Sequence, residues 1–212
     1  MKINFLGDSI TQGSGASAPE KNYVSLVGKM LDCEVCNFGV SGTRIARQST
    51  PSANVMFDED YIIRAERMGE ADLVFVFGGT NDYGHGDAPI GTPEDTGVYT
   101  FYGAFKGLAD YLIGKYGREK LCYILPLQRY GQENPYGECN KNQPVATLRE
   151  YIEIEKEILN ERRIPYLDLN HLFPEPDTRA PSELFVDGLH PTDKGHELIA
   201  EQVCSWIKAR YN

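Results

Sequence analysis

Acyl transfer through a covalent intermediate needs a nucleophile, a base, a group that orients the base, and donors for a developing oxyanion. Ser9 lies in the stretch Phe5-Leu6-Gly7-Asp8-Ser9-Ile10-Thr11-Gln12-Gly13, just past an apolar run at residues 2–6. Near the other end of the chain stands Asp187-Gly188-Leu189-His190. Imidazoles titrate near neutrality, with an ordinary pKa of about 6.5, so His190 is the candidate base for a Ser9 nucleophile. Asp187 stands three positions earlier, a chain reach of roughly 10–11 Å. A turn through Gly188 would bring its carboxylate to one ring nitrogen and leave the other for Ser9. Two more segments carry donors. The Gly42 N–H, the Asn81 side-chain amide and the Ser9 N–H together are the candidate oxyanion donors, and a glycine at 42 lets backbone approach closely.

These positions meet only if the elements between them bring them to one edge. Residues 2–6, 35–40, 73–77, 121–125 and 165–169 read as buried strands. Residues 23–31, 58–68, 101–116, 145–163 and 194–210 have helical apolar spacing. Such alternation implies an α/β fold with a five-stranded parallel sheet covered on both faces, and the strand order 2-1-3-4-5 is the commonest right-handed solution. The carboxyl ends of parallel strands share one rim, and Ser9, Gly42 and Asn81 each follow a strand. Two polar insertions, residues 84–100 and 128–144, also follow strands and are expected to rise over that rim. The 212 residues read as a single domain, 1–212.

Composition narrows the partners. Lys and Arg number 21 against 31 Asp and Glu, a net charge of −10 that disfavours nucleic acid and anionic membrane surfaces. No run approaches the roughly 20 apolar residues that span a bilayer. Gly7-Asp8 interrupts the first apolar run, so a cytoplasmic location is expected. The expected partner is a small-molecule ester, and a homo-oligomer is compatible with the sequence. The five cysteines, Cys33, Cys36, Cys122, Cys139 and Cys204, cannot all pair within one chain. Reduced thiols are expected, with Cys122 and Cys204 in the core and no zinc at Cys33-x-x-Cys36.

Each feature also has a plainer reading. Ser9 could be a turn residue, Asn81 a helix cap, Asp187 a loop carboxylate and His190 a residue ahead of a helix. His190, Asp193 and His196 could be taken as a metal set. Their spacing does not share a helical face and Pro191 disfavours a helix through His190, so no metal is expected. His85 and His171 read as loop residues. Residues 7–13 lack the lysine of a phosphate loop, and no G-x-S-x-G elbow occurs. A flavin-binding protein would share the fold without needing Asp187 and His190, and no cofactor is expected.

Taken in order, Gly7-Asp8-Ser9, Asn37-x-Gly39-x-Ser41-Gly42, Gly79-Thr80-Asn81-Asp82 and Asp187-x-x-His190 resemble the sequence blocks of the SGNH (GDSL-type) hydrolases. The blocks extend from residue 7 to residue 190, with Ile10 where the family's name has leucine. The resemblance implies a flavodoxin-like, three-layer α/β/α sandwich and a serine esterase. By matching positions Ser9 would be the nucleophile, Gly42 and Asn81 oxyanion donors, and His190 and Asp187 the base and its partner. The rim is expected to contribute Arg44, Arg47, Tyr83, Tyr99, Tyr102, Gln128, Arg129, Tyr130 and Tyr136. Asp8, Arg44, Tyr83, Gln128 and Tyr130 are taken as the substrate contacts. This polar and aromatic set points to short acyl groups on a polar, carbohydrate-like alcohol. A lysophospholipase or thioesterase acting on longer chains is the alternative, and a catalytically silent binding protein on the same fold is the alternative from another class.

Overall fold

Each apolar run is followed by a segment that must cross back over the sheet, and the outcome is five parallel strands. The computed structural model describes residues 1–50, 52, 55–138 and 141–211. In chain order the elements are β1 (Lys2–Gly7), α1 (Ser9–Gln12), α2 (Tyr23–Leu31), β2 (Glu34–Gly39), α3 (Tyr61–Glu66), β3 (Leu73–Phe77) and α4 (Thr80–Gly84), then α5 (Phe101–Tyr116), β4 (Leu121–Ile124), α6 (Leu148–Arg162), β5 (Tyr166–Leu167) and α7 (Asp193–Tyr211). The sheet order is β2-β1-β3-β4-β5, as the strand–helix alternation implied. β1 runs in register with β2 from Lys2–Glu34 to Gly7–Gly39, so the first two strands end level with each other.

Alternation along the strands divides the core in two. Phe5, Leu73, Phe75 and Phe77 pack against Tyr23, Val24 and Val27 of α2 and Ile199, Val203 and Ile207 of α7. Leu6, Val74, Val76 and Tyr123 face the other way, onto α3, α5 and α6. Phe5 and Phe75 stack at 5.3 Å between centroids, with Trp206 of α7 edge-on to Phe75. Cys122 and Cys204 lie in this core, Cys33 and Cys36 are half-buried free thiols, and Cys139 lies outside the described residues.

Several boundaries differ from the sequence expectation, each for a local reason. α3 starts at Tyr61 rather than residue 58 because the Asp60 carboxylate accepts the Ile63 N–H and acts as the cap. α6 starts at Leu148 because Thr147 and Glu150 form a reciprocal capping box. β5 keeps only two residues, and the Asp168 carboxylate accepts the Asn170 N–H as the chain turns away. The glycine-rich turn after β1 contains α1, a single helical turn too short to leave an apolar period.

Beneath the rim a buried guanidinium ties the strand ends together. Arg64 of α3 donates to the Gly7 carbonyl at 2.6 Å, to Thr43 Oγ1 at 2.7 Å and to the Phe38 carbonyl. One side chain thus fixes the ends of β1 and β2 and the loop that follows β2.

Candidate active site

Ser9 opens α1 directly beyond β1, with Asp8 as the cap: Asp8 Oδ1 accepts the Ile10 N–H at 3.0 Å. As the first helical residue, Ser9 has an N–H with no acceptor inside the helix. Its hydroxyl lies 2.9 Å from His190 Nε2. The opposite ring nitrogen, Nδ1, lies 2.7 Å from Asp187 Oδ2. The second Asp187 oxygen accepts the backbone N–H groups of His190 and Leu189 at 2.8 and 3.0 Å, which winds the turn tightly through Gly188 at φ +78°. Burial alone would raise the Asp187 pKa; the His190 backbone N–H, its imidazole and the Leu189 N–H outweigh burial and hold the carboxyl below its usual range. The Tyr130 N–H donates to the Gly188 carbonyl at 2.8 Å, which pins this turn to the loop after β4.

The other donors arrive from β2 and β3. Gly42 takes φ +75°, and Asn81, in α4, donates from Nδ2 to the Thr43 carbonyl at 3.0 Å, so the two loops are stitched together. Asp82 accepts the Ile45 and Ala46 N–H groups at 2.9 and 2.8 Å and holds the loop after β2 from beneath. Burial lifts the Asp82 carboxyl to a pKa of about 7 despite those two bonds. Gly79, at φ +102°, caps α4, and a Cβ there would collide with the buried Glu155 carboxyl of α6. Ser9, Gly42, Asn81, His85, Asp187 and His190 line one cleft of about 420 Å³.

The structure therefore brings Ser9, Gly42, Asn81, Asp187 and His190 together. The sequence model of the GDSL-like lipase/acylhydrolase family matches residues 5–198. The chain belongs to that family. No curated protein matches it. Among solved structures, a protein from Lactobacillus plantarum is similar with 24% identity and a TM-score of 0.78, covering 100% of this chain and 98% of that one. A possible lipase from Chitinophaga pinensis has 22% identity and a TM-score of 0.71 over 98% of each chain. A lipase/acylhydrolase from Enterococcus faecalis has 23% identity and a TM-score of 0.63 over 99% and 96%. At these identities the likeness is one of fold.

Of the five expected substrate contacts, only Tyr130 lines this cleft. Asp8 is 1% exposed and is spent on its cap. Tyr83 is buried, and its hydroxyl donates to the Gly131 and Asn134 carbonyls, so it shapes the loop after β4 instead of facing Ser9. Gln128 donates twice to Asn170, through its backbone N–H and its side-chain amide. Arg44 is buried behind Gly42, to whose carbonyl it donates. Arg47 pairs with Asp60 beneath Tyr99, Tyr102 is buried and Tyr136 is outside the cleft. Of the remaining rim set, Arg129 does line the cleft, ion-paired with Glu138.

Sequence reasoning missed three contributors. His85 is no plain loop residue: its Nε2 lies 3.1 Å from Asn81 Oδ1. Glu138 and Arg179 also line the cleft, from loops whose polar composition gave no pattern to read. His196 is fully buried between the Tyr23 N–H and the Ser14 carbonyl, and Asp193 pairs with Lys21, so both are engaged apart from His190. No metal-binding group of His, Cys, Asp and Glu occurs among the described residues, and none of their helices is long and apolar enough to cross a membrane.

Proposed function

We propose that this protein is a serine esterase that removes short acyl groups from a polar, carbohydrate-like alcohol. The observation that carries the reading is the unbroken line Ser9 Oγ, His190 Nε2, His190 Nδ1, Asp187 Oδ2, with contacts of 2.9 and 2.7 Å, opening on the cleft that Gly42 and Asn81 also line. Ser9 Oγ attacks the ester carbonyl carbon as His190 Nε2 takes its proton. Asp187 holds the ring and stabilises its charged form. The carbonyl oxygen, now an oxyanion, meets the Ser9 and Gly42 N–H groups and the Asn81 amide. Collapse expels the alcohol, which receives its proton from His190, and leaves an acyl group on Ser9. A water activated by the same imidazole then releases the acid and restores the hydroxyl.

The short-acyl, polar-alcohol part of the proposal draws on the cleft walls. Leu189 is the one aliphatic side chain among the described residues lining it, whereas Arg129, Glu138, Arg179 and Tyr130 carry the outer wall. Beyond Tyr130 a second cleft of about 520 Å³ continues past Asn134, Glu175 and Asp177. There the Glu175 and Asp177 carboxylates offer acceptors to hydroxyls, and Tyr83 and Tyr130 offer aromatic surface.

A fluorophosphonate followed by mapping of the modified residue tests the nucleophile, and a nitrophenyl ester chain-length series tests the acyl group. Label on Ser9, loss of roughly six orders of magnitude in kcat in Ser9→Ala, and the highest kcat/KM at short acyl chains are expected. An unlabelled Ser9 in active protein would refute the mechanism. A kcat/KM that peaks beyond about eight carbons would favour the lipid or thioester reading.

A further inference from the structure

His85 follows α4 directly, four residues after Asn81, and the protons around it are assigned by their partners. Arg44 Nη1 lies 3.3 Å from His85 Nδ1, and a guanidinium has protons only to give. Nδ1 must therefore accept, which leaves the neutral ring's proton on Nε2. Nε2 lies 3.1 Å from Asn81 Oδ1, so it donates there. This fixes the Asn81 amide with its Nδ2 towards Thr43, whose carbonyl takes one of the two Nδ2 protons at 3.0 Å. The second proton remains for the cleft, which Asn81 lines. The same Arg44 Nη1 donates to the Gly42 carbonyl at 3.0 Å. One guanidinium thus touches both arms of the oxyanion site, Gly42 directly and Asn81 through the imidazole.

We infer that His85, oriented by Arg44, is a positioning residue that sets the Asn81 amide for the oxyanion. The inference rests on the esterase reading above and adds a residue that the four sequence blocks do not contain. The charges around the ring agree with the required neutral form. Burial lowers the His85 pKa, Arg44, Arg129 and Lys141 push the same way, and only Glu138 opposes them. A protonated ring would turn Nδ1 into a donor facing a guanidinium and break the relay.

Two readouts decide it. Nitrogen-15 imidazole spectra of the wild-type protein report the His85 tautomer without reference to activity: the proton is expected on Nε2, and a proton on Nδ1 overturns the relay. The second is steady-state hydrolysis of nitrophenyl acetate by wild type, His85→Leu and His85→Gln. His85→Leu frees the Asn81 amide to rotate, and a misplacement of that size lowers kcat by about 10- to 100-fold while KM stays within about threefold. His85→Gln can still present an N–H to Asn81 Oδ1 and is expected to recover most of the loss. A folded His85→Leu with wild-type kcat, or a His85→Gln as slow as His85→Leu, overturns the role. Should His85→Leu fail to fold, the tautomer and the His85→Gln rate decide alone. A wild type that hydrolyses no ester and leaves Ser9 unlabelled would instead bring down the esterase reading and the oxyanion role with it.

Discussion

Replacing Asp8 with asparagine isolates one buried carboxyl from the rest of the pH dependence. Asp8 is 1% exposed, and burial lifts its pKa from 3.8 to about 6, against the pull of the Ile10 N–H and of His190, Arg64 and Arg129. The folded protein therefore holds a proton on Asp8 that the unfolded chain has already lost between pH 3.8 and about 6. Stability falls wherever the folded state binds more protons as pH rises, so the contribution is full below pH 3.8 and is lost on passing about pH 6. The total at this one site is about 3 kcal/mol. The asparagine side chain would keep the shape and the cap to Ile10 without titrating. Urea unfolding of Asp8→Asn and wild type at pH 4, 5, 6 and 7.5 measures the difference, in which the other carboxyls cancel to first order. With a slope of about 3 kcal/mol per molar urea, the variant's midpoint is expected to gain about 1 M on wild type between pH 4 and pH 7.5. Midpoints that run parallel across that range would refute the account of Asp8 as a desolvated, protonatable cap.

Two further outcomes follow from named contacts. Asp187→Asn keeps the turn but loses the charge that orients His190, and kcat for a short acyl ester is expected to fall by roughly 10⁴-fold with the circular dichroism unchanged. Thr147→Ala removes the capping box of α6 and is expected to lower the unfolding free energy by about 1 kcal/mol, read by urea titration, with kcat unaltered.

The strands and their order were legible because a parallel strand buried on both faces is a continuous apolar run, as in Leu73-Val74-Phe75-Val76-Phe77. That Ser9, Gly42, Asn81, Asp187 and His190 would share one cleft was legible because each sits in a short block next to a strand end or a helix start. The wall of the cleft was not, because a residue's place in a loop says nothing about which way its side chain turns. Tyr83 and Gln128 follow strands as expected, yet their polar atoms satisfy loop carbonyls and Asn170. Asp8 stands next to Ser9 in the chain, yet the helix N-terminus beside it claims the carboxylate. His85 reads as a loop residue because its partner Arg44 lies 41 positions away in the chain and nothing in the sequence ties its ring to Asn81.

The fork of Arg64 limits how such a site can diversify. Its bonds reach the ends of β1 and β2 and Thr43 at once, so no part of that corner can shift without breaking several buried, charge-assisted bonds. A lysine, with a single point charge, could not span the same three acceptors. The loop after β4 lies outside its grip. New substrate preferences on this scaffold are therefore cheapest to acquire there, by remodelling the outer wall while the reacting corner stays clamped.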